Sequence, residues 1–330
     1  MAISKSVITV SIVSLLSLIV LGGCEPKGGE KVKAVGSENA AMALGFIAGD
    51  TSTYKSVVND GRSAEFQGEM TKDPNIKGGY TGTRIEMTFT QQIQSVTDAG
   101  NGVAQITIDG LKVLAQTKSV TSIDFDSTRE ADKANPLFGL IGKSYTIELT
   151  PDGKVAKVVD ASGAIAAISG EGQEKRFGAK LLSNDLIEER HSIAALNTAG
   201  TTPLKSNATW SLKKQENFGM MGVKDYEKVY TVTSLKTENG STKAVVTMNA
   251  IPAANAQAKG EPESPFSKMV DNKESYTGSL AMDVSSGKVD RYDERLNASW
   301  TIVDPQASSS AEPNIIIMSE TREVSLEKIK

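Results

Sequence analysis

Between Tyr276 and Ile302 the chain alternates apolar and polar side chains with a period of two, over runs too long for ordinary strands. Tyr276, Leu280, Met282 and Val284 share one face; Tyr292, Leu296, Ala298, Trp300 and Ile302 share another across at least eleven residues. A period of two belongs to an extended strand with one buried face, and strands usually run ~5–6 residues. Such lengths predict a wide, curved antiparallel sheet with one face solvated. An earlier stretch repeats the pattern, with Ile85, Met87, Phe89 and Ile93 on one parity and Thr88, Thr90, Gln92 and Gln94 on the other. The fold class expected is mainly β with some α.

Turn chemistry divides these strands into hairpins. Asp98-Ala99-Gly100-Asn101-Gly102 joins the 85–94 strand to a β-branched return over Val103–Val113, where Gly110 marks a bulge. Pro151-Asp152-Gly153 joins Ser144–Leu149 to Lys154–Val159. Between about 171 and 198 the period changes. Phe177, Leu181, Leu182, Leu186, Ile187, Ile193 and Leu196 recur at helical spacing, which predicts one or two amphipathic helices, the second capped by Ser183 or Asn184 and the pair closed by Thr201-Thr202-Pro203. The landmarks then recur in order. Thr53-Tyr54 is echoed by Thr209-Trp210, and Val103–Ile108 by Lys243–Met248. Asn101-Gly102, Ser144-Tyr145-Thr146 and Gly153-Lys154-Val155 reappear 138, 131 and 134 residues later. The expected layout is therefore a first β-rich half at 51–170, a helical connector at 171–200 and a second, duplicated β-rich half at 201–330. Ile315–Leu326 forms a last strand, and Pro252–Pro265 and Asp304–Pro313 form loops.

The N-terminus sets an address. Lys5 precedes an apolar run from Val7 to Leu21 that ends in Leu21-Gly22-Gly23-Cys24. Positive start, short apolar core and small residues are the order of a secretory signal, and the run falls short of the ~20 residues that span a bilayer. Leu-Gly-Gly-Cys resembles the lipobox of bacterial lipoprotein precursors. The resemblance implies cleavage between Gly23 and Cys24 and lipid on the Cys24 sulfur, which would account for a lone cysteine in an exported chain. Residues 1–23 would then be a signal peptide and 24–50 a lipidated tether. Ala40–Ile47 is expected as a short helix or a docking segment. Glu25, where aspartate would mark inner-membrane retention, directs the expectation to the outer membrane of the cell envelope.

Loss of residues 1–23 removes one of 36 basic residues and none of the 40 acidic ones, taking the net charge from −4 to −5. Mild acidity without a basic block argues against a nucleic-acid partner. His191 is the sole histidine, so a Ser-His-Asp triad or a histidine metal site has little to build with. Its neighbours Glu188, Glu189 and Arg190 suggest a solvated helix face. Asp124, Asp126 and Asp132 form an acidic cluster that reads as a solvated turn or, with less support, a calcium site. No phosphate loop, dinucleotide fingerprint or nucleophile elbow is present, and no cofactor is expected. Two apolar stretches in expected loops stand out: Leu137, Phe138 and Leu140, and Phe218, Met220 and Met221. They either mark a greasy ligand mouth or partner surface, or plug the open ends of the sheet.

A curved sheet backed by a helix on a lipoprotein resembles the periplasmic lipid and lipoprotein carriers of the LolA/LppX type. The chain is also similar to tandem β-rich lipoproteins of bacteria, with Asp126-Ser127 at a mid-half turn and Pro203…Trp210 leading into the second half. These resemblances imply a non-enzymatic, membrane-tethered protein that binds an apolar ligand or an envelope protein. The carrier version calls for a cavity between the 171–198 helices and the strands bearing Met87, Phe89, Met282 and Trp300. An envelope hydrolase with paired acidic residues, or a purely structural or adhesive module, are the alternatives.

Overall fold

A computed structural model describes residues 42–196, 204–253, 270–303 and 313–330. The signal, the lipobox, the Thr201–Pro203 stop and most of the two late loops lie outside the described residues. Twelve strands form one antiparallel sheet: β1 (Thr51–Gln67), β2 (Gly79–Val96), β3 (Gly102–Thr117), β4 (Val120–Asp126), β5 (Ser144–Leu149), β6 (Val155–Asp160), β7 (Thr209–Asn217), β8 (Val223–Glu238), β9 (Ser241–Pro252), β10 (Val270–Asp283), β11 (Lys288–Val303) and β12 (Ile315–Lys328). Their order is β6-β5-β3-β2-β1-β12-β11-β10-β9-β8-β7, with β4 on the far half of β3, and the sheet is open rather than closed into a barrel.

The two halves are meanders that meet where β1 pairs with β12. The landmarks noted in the sequence fall at matching places: β1 and β7, β2 and β8, β3 and β9, β5 and β10, and the β5–β6 and β10–β11 turns. The expected bulge beside Gly110 is present, with Asp109 as the extra residue where Thr88 pairs with Gly110 and Phe89 with Ile108. At the Asn239-Gly240 turn both residues have positive φ, 51° and 80°. That is the primed hairpin geometry whose twist matches the flanking strands.

Strand parity gives the sheet one continuous inner face. A single row crosses it through Trp210, Tyr230, Met248, Gly278, Glu294, Val324, Val58, Ile85, Val113 and Phe125, each facing the next on the neighbouring strand. Over the first half this face is covered by α1 (Ser162–Ala166), α2 (Gln173–Leu181) and α3 (Asn184–His191). Helices α2 and α3 stand where helical spacing predicts them. Leu181, Leu182 and Ile187 are buried beneath them, against a floor of Met87, Phe89, Ile106, Tyr145 and Ile147, none more than 1% exposed.

His191 corrects its sequence reading: it is 4% exposed rather than solvated. Ile187, Arg190 and His191 stand at i, i+3 and i+4, the spacing of one helix face, and that face turns inward. His191 Nε2 meets the Tyr145 hydroxyl at 2.7 Å, and its ring packs edge-on against Phe89 at 4.9 Å between centroids. Arg190 donates from Nη2 to the Leu181 carbonyl at 3.0 Å, capping the negative end of α2. The pair staples α3 to both β5 and α2.

Residues 42–50 run as an extended strap across one end of the sheet, settling the choice left open for that stretch over its described residues. Leu44 donates its N–H to the Pro151 carbonyl at 2.8 Å and Gly45 to the Gly287 carbonyl at 3.0 Å, so the strap touches the matching turn of each half. A side chain on Gly45 would come within 2.5 Å of the Ser286 carbonyl oxygen, hence glycine there.

Candidate functional site

Only the end of α3 and the turn after it reach the second half's inner face, where Trp210 Nε1 donates to the Ala195 carbonyl at 3.0 Å; elsewhere its strands curl instead. Strands β7 and β12 stand five places apart, which in a flat sheet means ~24 Å at ~4.8 Å per strand. Yet Glu216 of β7 forms an ion pair with Arg322 of β12. Phe218, just beyond β7, stacks edge-on against Trp300 of β11 at 5.1 Å. The half is a trough whose walls touch.

Polar side chains at inner-face parity make that contact. Lys228 of β8 is 2% exposed, and its ammonium lies 2.5 Å from Glu294 of β11 and 4.6 Å from the centre of the Tyr276 ring. Glu294 also accepts from the hydroxyls of Tyr230 at 3.1 Å and Tyr276 at 3.2 Å. Nearer the mouth, Lys224 and Tyr226 reach Glu274 of β10, the latter at 2.6 Å. Arg322 is shared between Glu216 and Glu320, and Glu320 is held in turn by Arg62 of β1 at 3.0 Å. Gly278, opposite Glu294 on β10, leaves the volume this cluster fills.

The protonation states follow from burial. Tyr226, Tyr230 and Tyr276 are pushed far above the ordinary phenol range, first by burial and then by the adjoining carboxylates, so they remain hydrogen-bond donors. Burial pushes the Glu274 carboxyl up, but its bonds from Lys224, Tyr226 and Asn272 outweigh that and hold it below the usual carboxylate range.

Between this trough and the end of α3 lies a cleft of about 330 Å3, at the low end of the ~300–1,000 Å3 of small-molecule sites. Leu212, Leu296, Val324 and the Tyr292 ring give it an apolar floor; Lys228, Glu294, Tyr276, Arg322 and Glu216 ring it; Glu189 and Lys214 stand at its rim. Glu189 is exposed at the rim; partial desolvation of its carboxyl there, then nearby Asp60, raise it. The arrangement can hold an amphipathic molecule, its apolar body on the floor and its polar groups on the ring.

The expected carrier cavity is filled instead. Met87, Phe89, Met282 and Trp300 are each at most 3% exposed. The space left beneath the strap, between Phe89, His191 and Ile193, is about 50 Å3, room for a few waters at most. Leu137 and Leu140 are wholly buried and Phe138 partly so, in a short turn under α2. Phe218 is 4% exposed and closes one end of the trough with half-buried Met221, while the side chain of Met220 lies outside the described residues. The two stretches thus sit in different halves. Asp124 and Asp132 grip Arg129 at 2.7 Å each, and Asp126 pairs with Lys112 at 2.9 Å, so the three carboxylates are tied to cations in a surface turn. Thr128 and Lys112 hold Asp126 down to about 2. Cys24 and Gly23 lie outside the described residues.

No protein-family model matches the chain, and no curated protein matches it in sequence. Among solved structures it is similar to one titled for lipid–protein interactions in lipovitellin, with a TM-score of 0.42 and 14% identity, over 86% of this chain and 25% of that one. The chain therefore spans a quarter of the lipovitellin chain. OpdL and OccK7 of Pseudomonas aeruginosa align at TM-scores of 0.19 and 0.17, with 9% and 8% identity, covering 85% and 84% of this chain and 99% and 100% of theirs. Likenesses at these scores fix neither fold nor function.

Proposed function

We propose that the chain is a lipid-anchored, extracytoplasmic binding protein of non-enzymatic type, and that its ligand occupies the cleft of the second half. The observation that supports this most is the amphipathic cleft itself, set in a half whose counterpart is filled and covered by helices. A face that needs only a core has no use for three buried tyrosine hydroxyls, a lysine and an arginine, since buried polar groups cost free energy unless fully paired. The lipobox supplies the tether, with Cys24 holding the chain to an envelope membrane. The ligand class that fits is a small amphipathic molecule rather than a long acyl chain.

A hydrolase would need a pair of carboxylates free to act. Of the carboxylates lining the cleft, Glu216 and Glu294 are engaged with Arg322, Lys228 and tyrosine hydroxyls, which leaves Glu189 alone among them without such a partner.

Native mass spectrometry of the exported Cys24→Ser chain tests the ligand. A co-purifying adduct is expected whose occupancy falls when Leu212→Trp fills the cleft. An adduct indifferent to Leu212→Trp binds elsewhere and removes the cleft from the proposal. Mass analysis of the N-terminal peptide from wild-type membranes tests the anchor, and an unmodified Cys24 would refute it.

A further inference from the structure

The walls of the trough meet without any backbone ladder. Strand β7 shares a backbone ladder with β8 and with no other strand among the described residues. What joins its wall to the opposite one is side chains: Glu216 to Arg322, Lys228 and Tyr230 to Glu294, Lys224 and Tyr226 to Glu274, and one aromatic contact, Phe218 on Trp300. The other boundaries between neighbouring strands are antiparallel backbone ladders, the one between β1 and β12 running over 14 residue pairs. A seam of charge-assisted contacts is strong while dry and weakens once water enters, because the same charges are solvated at little cost in the open state. A ladder has no such exit.

We propose that this seam is a gate over the cleft, opened by moving the β7–β8 wall away from β11–β12 and held shut by its charge-assisted contacts. The inference rests on the cleft being the ligand site and adds how that site is regulated. The groups facing each carboxylate are known. Glu216 faces Arg322 from β12 and Tyr276 from β10. Glu294 faces Lys228 and Tyr230 from β8 and Tyr276 from β10, with Tyr292 on its own strand. Glu320 faces Arg62 from β1 and Arg322. Glu189 on α3, Asp60 on β1 and Lys214 on β7 complete the charges around the cleft. Parting the walls separates Lys228 from Glu294 and Arg322 from Glu216, and water must enter to solvate the separated charges. Opening also frees both cations and four tyrosine rings toward an arriving ligand, so ligand and latch compete for the same groups.

The gate is read by double electron–electron resonance on the full chain carrying Cys24→Ser, with spin labels at Lys213→Cys on β7 and Ser325→Cys on β12. A second labelled pair, Lys55→Cys on β1 and Glu86→Cys on β2, is the control. At pH 7.5 and low salt both pairs should give one short distance. At high salt, and independently in Arg322→Met at low salt, the seam pair should gain a longer population while the control pair stays unchanged. The expected change in the open-to-closed ratio is roughly tenfold, the worth of one net charge-assisted hydrogen bond. A seam distance unmoved in both conditions, or a control pair widening in parallel, overturns the gate. Native mass spectrometry reads the ligand separately. An adduct with an immobile seam refutes the gate alone, and a widening seam with an adduct indifferent to Leu212→Trp refutes the cleft as ligand site.

Discussion

The inner faces of β1–β6 and β7–β12 belong to one sheet and share rows of facing residues, yet they are finished differently. In the first half, helices α2 and α3 lie over Met87, Phe89, Ile106 and Tyr145 and seal the face with apolar contact. In the second half the strands curl until opposite walls meet, and Lys228, Glu294, Glu216 and Arg322 close the gap. Helical cover makes a floor dry and permanent. Closure by charge makes one that depends on salt and on whatever else can pair with those charges. Under the proposed function, the first half is scaffold and the second half binds.

The sharpest break in that contrast should come from the first-half floor. Phe89→Ala opens a hole under His191 and is expected to cost about 3–5 kcal/mol, read as a lowered urea midpoint. In the second half, Glu294→Ala strands the Lys228 ammonium and should cost about 2–3 kcal/mol, whereas the pair Lys228→Met with Glu294→Leu should cost about 1 kcal/mol or less. If the double variant is as unstable as the single one, the polar cluster is structural cement and not a functional choice.

Smaller effects separate the two halves by pH. Burial, then the nearby Arg190 charge, hold His191 well below its ordinary value, so it is neutral in the folded chain. The unfolded chain takes up that proton near pH ~6.5, so the folded state loses stability as pH falls below ~6.5 toward the depressed value. His191→Gln should flatten the stability curve between pH 5 and 6.5 while costing about 1 kcal/mol for the Tyr145 bond at pH 7.5. Glu189 works with the opposite sign. Its raised carboxyl disfavours the folded state as pH rises above ~4.5; because Glu189 is exposed, solvent screening keeps the gain from Glu189→Gln at pH 7 to a few tenths of a kcal/mol, about 0.5 at most. Urea titrations at several pH values check both.

Much of the fold was legible because period-two alternation fixes strand faces and Asn-Gly turns fix hairpins; β2, β3, β8–β11 and the helices α2 and α3 follow from those signals. The cleft was harder. Lys228 and Glu294 occupy inner-face parity between Tyr226 and Tyr230 and between Tyr292 and Leu296, so a polar residue at a buried parity was the available signal. Their partners stand 66 residues apart in the chain, and only the curl brings them together. His191 was misread because its charged sequence neighbours outweighed the i, i+3, i+4 relation to Ile187. Leu137 and Leu140 were left as either an exposed mouth or a plug, because a short turn with Pro136 reads as a loop; a helix lies over that turn and buries them.

Amide hydrogen exchange across the sheet tests the contrast most directly. At pH 7 the amides of β2 and β3 should exchange only through global unfolding, while those of β7 and β8 should exchange faster, through opening of one wall. Replacing Arg322 with Met should speed β7 and β8 further and leave β2 and β3 unchanged. Equal protection in both regions, unaffected by that substitution, would show that the second half is as permanently closed as the first and contradict the account.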